Sequence, residues 1–221
     1  MKILTQRWRG EYWLAVLVAW AVVASATTPG TVAAADDRPV VMFVGTSLTA
    51  GYGIPSEQAF PALIQQKIDN AGFRYRVVNA GVSGDTSAGG LARIDWLLRS
   101  QISVLVLELG ANDMLRGLDP DAMQENLVGI IERTRAAYPK ARLLIAGMRA
   151  VPNLGRGYGS RFEAVFRRLG RKFDAPLIPF VLESVAAIPR LNQVDGIHPT
   201  AEGHRLVAET VWKKLRPLLN Q

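Results

Sequence analysis

Two stretches far apart in the chain carry the residue types of a nucleophilic relay. Gly45-Thr46-Ser47-Leu48 offers a serine hydroxyl in a turn, and Asp195-Gly196-Ile197-His198-Pro199 offers a carboxylate and an imidazole three residues apart. A serine hydroxyl becomes a nucleophile when an imidazole takes its proton, and a carboxylate must hold the other imidazole nitrogen. Attack on a carbonyl then leaves negative charge on oxygen, so hydrogen-bond donors must face it. Two further stretches hold such donors. In Gly81-Val82-Ser83-Gly84-Asp85, Gly84 presents a backbone N–H with no side chain in the way. In Gly110-Ala111-Asn112-Asp113, Asn112 presents a side-chain amide. Gly196 relaxes the backbone of the Asp195–His198 loop, and Pro199 biases His198 toward an extended conformation that helps orient its ring. Each stretch alone reads equally well as a turn. Their joint placement is the signal.

Composition narrows the chemistry further. The chain has 221 residues, 49% hydrophobic and 20% charged, which fits a globular fold and excludes a wholly disordered or collagen-like one. It contains no cysteine, which excludes disulfides, thiolate metal sites, a cysteine nucleophile and a lipidated N-terminal cysteine. Its two histidines, His198 and His204, are too few for a multi-histidine metal site. His204 falls within a helical stretch, where packing or solvation is its expected role. The relay needs no metal or organic cofactor. The formal charge is +7. The densest basic cluster, Arg161, Arg167, Arg168, Arg171 and Lys172, follows an amphipathic pattern and reads as a solvated helix face, so no nucleic-acid partner is expected. A phosphate- or nucleotide-binding module is disfavoured, because neither G-x-G-x-x-G nor a P-loop lysine follows the first strand.

The first 35 residues differ from the rest. Lys2, Arg7 and Arg9 precede an apolar run from Trp13 to Ala24, followed by small residues and Ala33-Ala34-Ala35. This is the order of a secretory signal peptide. The run is about 12–14 residues, short of the roughly 20 that span a bilayer. Cleavage is expected after Ala35, with Ala24-Ser25-Ala26 permitting an earlier cut, and export places the protein in the periplasm or outside the cell. After cleavage no stable membrane insertion is expected, although loose contact with lipid is compatible with the charge.

The elements that must position the relay alternate. Apolar, β-branched runs at 40–44, 76–79, 104–109 and 142–147, with a weaker one at 176–178, read as strands covered on both faces. Helical periodicity covers 59–70, 91–99, 120–138, 161–172 and 201–215. Asp119 with Pro120 caps the third helix and Thr200 the last. The glycine-rich stretch 155–159 reads as a flexible loop. Alternating strands and helices imply one α/β domain over 36–221: a three-layer, flavodoxin-like, doubly wound parallel sheet of about five strands. In such a sheet sites form at the carboxyl ends of the strands, where the Ser47, Gly84 and Asn112 stretches fall; the Asp195–His198 stretch lies on the loop before the last helix.

At this point the residues resemble a known family. Gly45-Thr46-Ser47-Leu48-Thr49-Ala50-Gly51-Tyr52 is similar to the first block of the GDSL, or SGNH, hydrolases. Asn79-Ala80-Gly81-Val82-Ser83-Gly84-Asp85-Thr86-Ser87 resembles the second, Glu108-Leu109-Gly110-Ala111-Asn112-Asp113 the third, and Asp195-Gly196-Ile197-His198-Pro199 the last. Asn112-Asp113-Met114-Leu115-Arg116-Gly117 and Phe173-Asp174-Ala175-Pro176-Leu177 resemble the exported bacterial thioesterase I/lysophospholipase and arylesterase group. The resemblance implies the SGNH hydrolase fold, with Ser47 as nucleophile, His198 as general base and then acid, and Asp195 as orienting carboxylate. It implies an oxyanion hole of the Ser47 and Gly84 N–H groups and the Asn112 amide. It implies hydrolysis of aryl or acyl esters, with thioesters and lysophospholipids as further candidates, through an acyl-serine. Deacetylation of carbohydrate or peptidoglycan by the same triad is the alternative. The substrate is a small-molecule acyl ester or a lipid-derived one. One position departs: the family's first block has Asp where this chain has Thr46, which bears on the turn rather than the triad. Glu108, inside an apolar strand, is expected to be a satisfied hydrogen-bonding group, and Asp113 to hold the loop that presents Asn112. Ser83 and Thr86 are expected to cap the second loop. Leu154 and Tyr158 are candidates for a mobile rim over the acyl chain.

Overall fold

Val40–Gly45, Arg76–Gly81, Ile102–Glu108, Arg142–Ala146 and Leu177–Ile178 form strands β1 to β5 of one sheet in the computed structural model, which describes residues 36–220. The spatial order is β2-β1-β3-β4-β5 and every pairing is parallel. The two central strands read VVMFVG and ISVLVLE. β1 is buried at every position, the state such runs require when helices cover both faces of a sheet.

The helices are α1 (Ser47–Ala50), α2 (Phe60–Asn70), α3 (Ser87–Leu97), α4 (Ala111–Leu115), α5 (Pro120–Ala137), α6 (Gly155–Phe173) and α7 (Ala201–Leu215). α2 packs with α7, whereas α3, α5 and α6 pack in series. The layers are therefore α/β/α around a five-stranded parallel sheet, with Phe43, Phe60, Ile64, Leu105, Ile130 and Phe162 among its fully buried side chains. All these elements belong to the unit Asp37–Gln221. The leader expected at residues 1–35 lies outside the described residues.

Capping places most helix starts where the sequence predicts them. The Asp119 side chain accepts the Asp121 N–H at the start of α5, with Pro120 in the first turn. The Thr200 hydroxyl accepts the Gly203 N–H at the start of α7. Two helices begin earlier than predicted. α3 starts at Ser87 because Thr86 caps it, its hydroxyl accepting the Gly89 N–H, and because the Ser87 N–H and hydroxyl both donate to Asp113. Its glycines let it sit close: a Cβ on Gly90 would lie 2.3 Å from Leu109 Cδ1.

The stretch 155–159, predicted as a flexible loop, is instead the first turn and a half of α6. Glycine in a helix costs about 1 kcal/mol relative to alanine. Here tertiary contacts offset it. Tyr158 stacks on Phe162 at 6.3 Å, and its hydroxyl donates to the Leu118 carbonyl at 2.8 Å. Arg161 pairs with Asp119 and Asp121 at 2.6 and 2.9 Å.

The chain leaves β1 outward to β2, then crosses to β3 on the other side. That reversal opens a crevice at the carboxyl ends of β1 and β3. Ser47 follows β1, Gly84 follows β2, Asn112 follows β3, and the Asp195–His198 loop precedes α7.

Candidate active site

Ser47 is the first residue of a four-residue helix pressed onto the strand ends. Thr46 caps that helix, its hydroxyl accepting the Leu48 N–H at 3.3 Å. Asn79 of β2 donates to the Thr49 carbonyl at 2.8 Å. Gly81 permits the close approach, since a Cβ there would lie 2.3 Å from the Ala50 nitrogen. The serine hydroxyl is thus carried on a turn locked to β1 and β2.

The loop before α7 brings the imidazole to it. His198 Nε2 lies 2.9 Å from Ser47 Oγ, and His198 Nδ1 lies 2.7 Å from Asp195 Oδ2. Asp195 Oδ1 accepts the N–H groups of Ile197 and His198 at 2.9 and 3.0 Å, a tight turn that Gly196 permits with φ of 69°. These contacts lower the Asp195 pKa from 3.8 to about 2, the His198 N–H contributing most, then the His198 side chain and the Ile197 N–H. An ionised carboxylate has no proton to donate, so His198 Nδ1 carries the hydrogen. In the neutral ring Nε2 then holds the lone pair and accepts from the Ser47 hydroxyl.

On the other side of Ser47, Asn112 stands in the first turn of α4. Its Nδ2 donates to the Asp85 carbonyl at 2.8 Å, which fixes the amide plane and leaves a second amide hydrogen. Asp85 is itself held by Arg93 at 2.8 Å. Gly84 adopts φ of 81°, a left-handed conformation that suits glycine, and its carbonyl accepts from Arg116 at 2.7 Å. Gly84 does not line the cavity described below. It is joined to it through Asp85 and Asn112. The Ser47 N–H belongs to the first turn of α1, where backbone N–H groups have no partner within the helix.

Beneath the Ser47 turn lies a buried acid. Glu108 ends β3 in register with Gly45 and is 2% exposed. It accepts from the Thr46 N–H at 3.0 Å, the Thr46 hydroxyl at 3.1 Å and the Thr49 hydroxyl at 2.7 Å. Burial raises its pKa, and these hydrogen bonds oppose the rise. Glu108 is therefore a satisfied hydrogen-bonding group, as its place in an apolar strand predicts. Thr46, the departure from the usual motif, supplies both the helix cap and two donors to this acid.

A cavity of about 240 Å³ opens beside Ser47, Asn112 and His198. Leu48, Met114, Met148, Phe180, Leu182 and Ile197 make its walls largely apolar, with Arg149 among the lining residues. Leu154 and Tyr158 do not line it. Tyr158 is turned toward Leu118 and Phe162 instead, which corrects the expectation of a mobile rim. His204 is buried, and its Nδ1 accepts the Phe60 N–H at 3.1 Å, a structural role. Asp113 anchors Ser87 of α3 and so steadies the turn that carries Asn112.

The structure brings Ser47, Asp195, His198 and Asn112 to one crevice. It adds residues that the sequence reading missed. The Tyr52 ring lies 4.7 Å from that of His198, tilted by 42°, and Gln193 reaches across to the Tyr52 carbonyl. No spacing rule links positions 52 and 193, so no local signal announces the contact.

Known proteins resemble this chain over most of its length. Residues 43–206 match the GDSL-like Lipase/Acylhydrolase family. Esterase TesA of Pseudomonas aeruginosa is 41% identical over 180 residues, 81% of this chain and 89% of that protein. Thioesterase 1/protease 1/lysophospholipase L1 of Escherichia coli K12 is 40% identical over 189 residues, 85% of this chain and 87% of that one. The solved structure of psychrotrophic esterase EstA from Pseudoalteromonas sp., inhibited by monoethylphosphonate, is similar with a TM-score of 0.76 at 30% identity, covering 80% of this chain and 97% of that one. With most of its length matched, the chain belongs to the GDSL-like lipase/acylhydrolase family and is a serine-type hydrolase of carboxylic esters.

Proposed function

We propose that Ser47, His198 and Asp195 carry out two-step acyl transfer on esters whose acyl group occupies the apolar cavity. The observation that carries this reading is the unbroken hydrogen-bonded line from Asp195 Oδ2 through both ring nitrogens of His198 to Ser47 Oγ. As Ser47 Oγ bonds to the carbonyl carbon, its proton passes to His198 Nε2 and the carbonyl π pair moves onto oxygen. The oxyanion is received by the Ser47 and Gly84 N–H groups and the free hydrogen of the Asn112 amide. Asp195 stays ionised and holds the imidazolium. The tetrahedral species collapses, His198 returns the proton to the departing alcohol or thiol, and the acyl group remains on Ser47. Water then repeats the sequence: its proton goes to His198, its oxygen bonds to carbon, and the carboxylic acid leaves as Ser47 regains its hydrogen.

The cavity walls bear on substrate. Apolar lining favours an acyl chain over a bare acetyl group, and Met114 and Met148 are side chains that adapt to different shapes. We therefore place medium-to-long acyl esters first, with thioesters and lysophospholipids as further substrates, a range in keeping with the names of the relatives. The pattern of residues 1–35 supports export to the periplasm or beyond, with cleavage after Ala35 or Ala26. Exported protein would encounter lipid-derived esters rather than cytosolic thioesters.

The test is Ser47→Ala. It is expected to abolish p-nitrophenyl acyl ester hydrolysis and fluorophosphonate labelling while the Tm stays near that of the parent. Full activity in Ser47→Ala would overturn the reading. A panel of acyl lengths decides the substrate class: strict preference for acetyl, with sugar acetates turned over best, would replace this reading with O-deacetylation.

A further inference from the structure

We propose that Gln193 is a positioning residue for acyl transfer, clamping the loop of Asp195 and His198 onto the segment that carries Ser47. The proposal rests on the assignment of Ser47 as nucleophile and His198 as base. Those two residues are 151 positions apart. Among the described residues, two hydrogen bonds join the segment 46–53 to the loop 192–200. One is the reacting contact, His198 Nε2 to Ser47 Oγ at 2.9 Å. It breaks whenever the serine attacks, so it cannot itself hold the loop in place. The other is Gln193 Nε2 to the Tyr52 carbonyl at 2.7 Å.

Gln193 is also bonded to the His198 side of the gap. Its second amide hydrogen goes to the Pro199 carbonyl at 3.0 Å. Its backbone N–H donates to the His198 carbonyl at 2.7 Å, and its own carbonyl accepts the Gly196 N–H at 2.9 Å. Both amide donors of one side chain are therefore used, one on each of the two segments that the reaction must align. Steric fit points the same way. A Cβ on Gly53 would lie 2.2 Å from Gln193 Oε1, so the amide sits against the one residue type that leaves it room. Gly53 also has φ of 77°.

The neighbouring Asn192 acts differently. Its Nδ2 donates to the carbonyls of Val185 and Ile188, and the residue bridges to Pro199, so it ties the loop to its own end of the chain. Gln193 ties it to the nucleophile. Misplacing reacting groups by about 1 Å can lower a rate by about 100-fold without weakening substrate binding. The clamp should therefore act on kcat.

Gln193→Met keeps the length of the side chain and removes both donors. We expect kcat to fall by about 10- to 100-fold, KM to stay within about twofold, and the rate of fluorophosphonate inactivation to fall in parallel with kcat. The downfield proton resonance of His198 Nδ1 should persist, because the bond to Asp195 lies within the loop. A merely structural role would instead leave kcat of the folded fraction unchanged, or would lose that resonance together with activity, and either result overturns the proposal. Gly53→Ala supplies an independent arm. It should lower kcat in the parent, where the new methyl displaces the amide, and have a smaller effect on kcat in a Gln193→Ala background, where the space is empty. Effects that simply multiply would also overturn the clamp. Ser47→Ala separates the two readings: if Ser47→Ala is inactive while Gln193→Met keeps full kcat, the clamp fails and the acyl-serine assignment stands.

Discussion

The Thr46 hydroxyl lies 3.1 Å from both carboxylate oxygens of Glu108, an acid buried under the Ser47 turn. The same hydroxyl caps α1. Thr46→Val keeps the shape and removes both functions, so it should destabilise the fold by about 1–3 kcal/mol. Thr46→Ser should recover most of this. The Glu108 pKa is raised in the fold, so the folded state holds its proton to higher pH than the unfolded chain does. Stability from this group therefore falls as pH rises above the ordinary glutamate range. Losing a donor raises the pKa further, and thermal melts should show Thr46→Val more damaging at pH 8 than at pH 4.5.

Asp195 behaves in the opposite sense. Its pKa of about 2 lies below the ordinary 3.8, so the stabilisation it provides is complete above about pH 4 and is lost only as pH falls toward 2. Asp195 should therefore stay ionised through the mildly acidic range and add no step of its own to the activity profile above about pH 4. Asp195→Asn, measured at neutral pH, should lower kcat by about 10³- to 10⁴-fold, because an amide can favour the wrong tautomer of His198. Steady-state kinetics across pH 4 to 9 check both statements.

On the oxyanion side, Asn112→Ala should lower kcat by about 10²- to 10³-fold with little change in KM, since the amide is needed most when charge develops. Gly84→Ala has a different signature. The space around Gly84 is open, the nearest atom to a new Cβ being Arg116 Nη2 at 3.8 Å, so the strain is conformational. Holding alanine at φ of 81° should reduce stability by about 1–3 kcal/mol as well as slow acylation. Chemical denaturation and burst kinetics separate the two effects.

His204 gives a stability prediction remote from the chemistry. Burial lowers its pKa from 6.5 to about 4, with a smaller electrostatic contribution from His198. Between those values the unfolded chain binds a proton that the folded protein refuses, so stability falls as pH drops from about 6.5 to about 4 and levels off below. The loss is at most ~3 kcal/mol. His204→Asn can keep an acceptor for the Phe60 N–H without titrating, and its Tm should lose much of the pH dependence over that range.

Much of the fold was legible because the forces that specify it are local. VVMFVG and ISVLVLE can be satisfied only inside a covered sheet, and Asp119, Pro120 and Thr200 mark helix starts through their own backbone contacts. The misreadings share one cause. Glycines at 89–90 and 155–159 disfavour helix in isolation, but packing against Leu109 and the contacts of Tyr158 and Arg161 reverse that preference.

The candidate site divides along the same line. Ser47, Asn112, Asp195 and His198 could be named from residue type, position after a strand, and the spacing of three between Asp195 and His198. Sequence alone also required that Glu108 find partners, because a carboxylate in an apolar strand cannot stay unsatisfied. Which partners it found, how the Tyr52 ring meets His198, and how Gln193 spans 141 residues to the Tyr52 carbonyl were decided by tertiary structure. Those contacts lie between chain segments with no common periodicity. They exist because the sheet reverses between β1 and β3 and brings separate loops to one crevice, where hydrogen bonds form across a distance that local pattern does not encode.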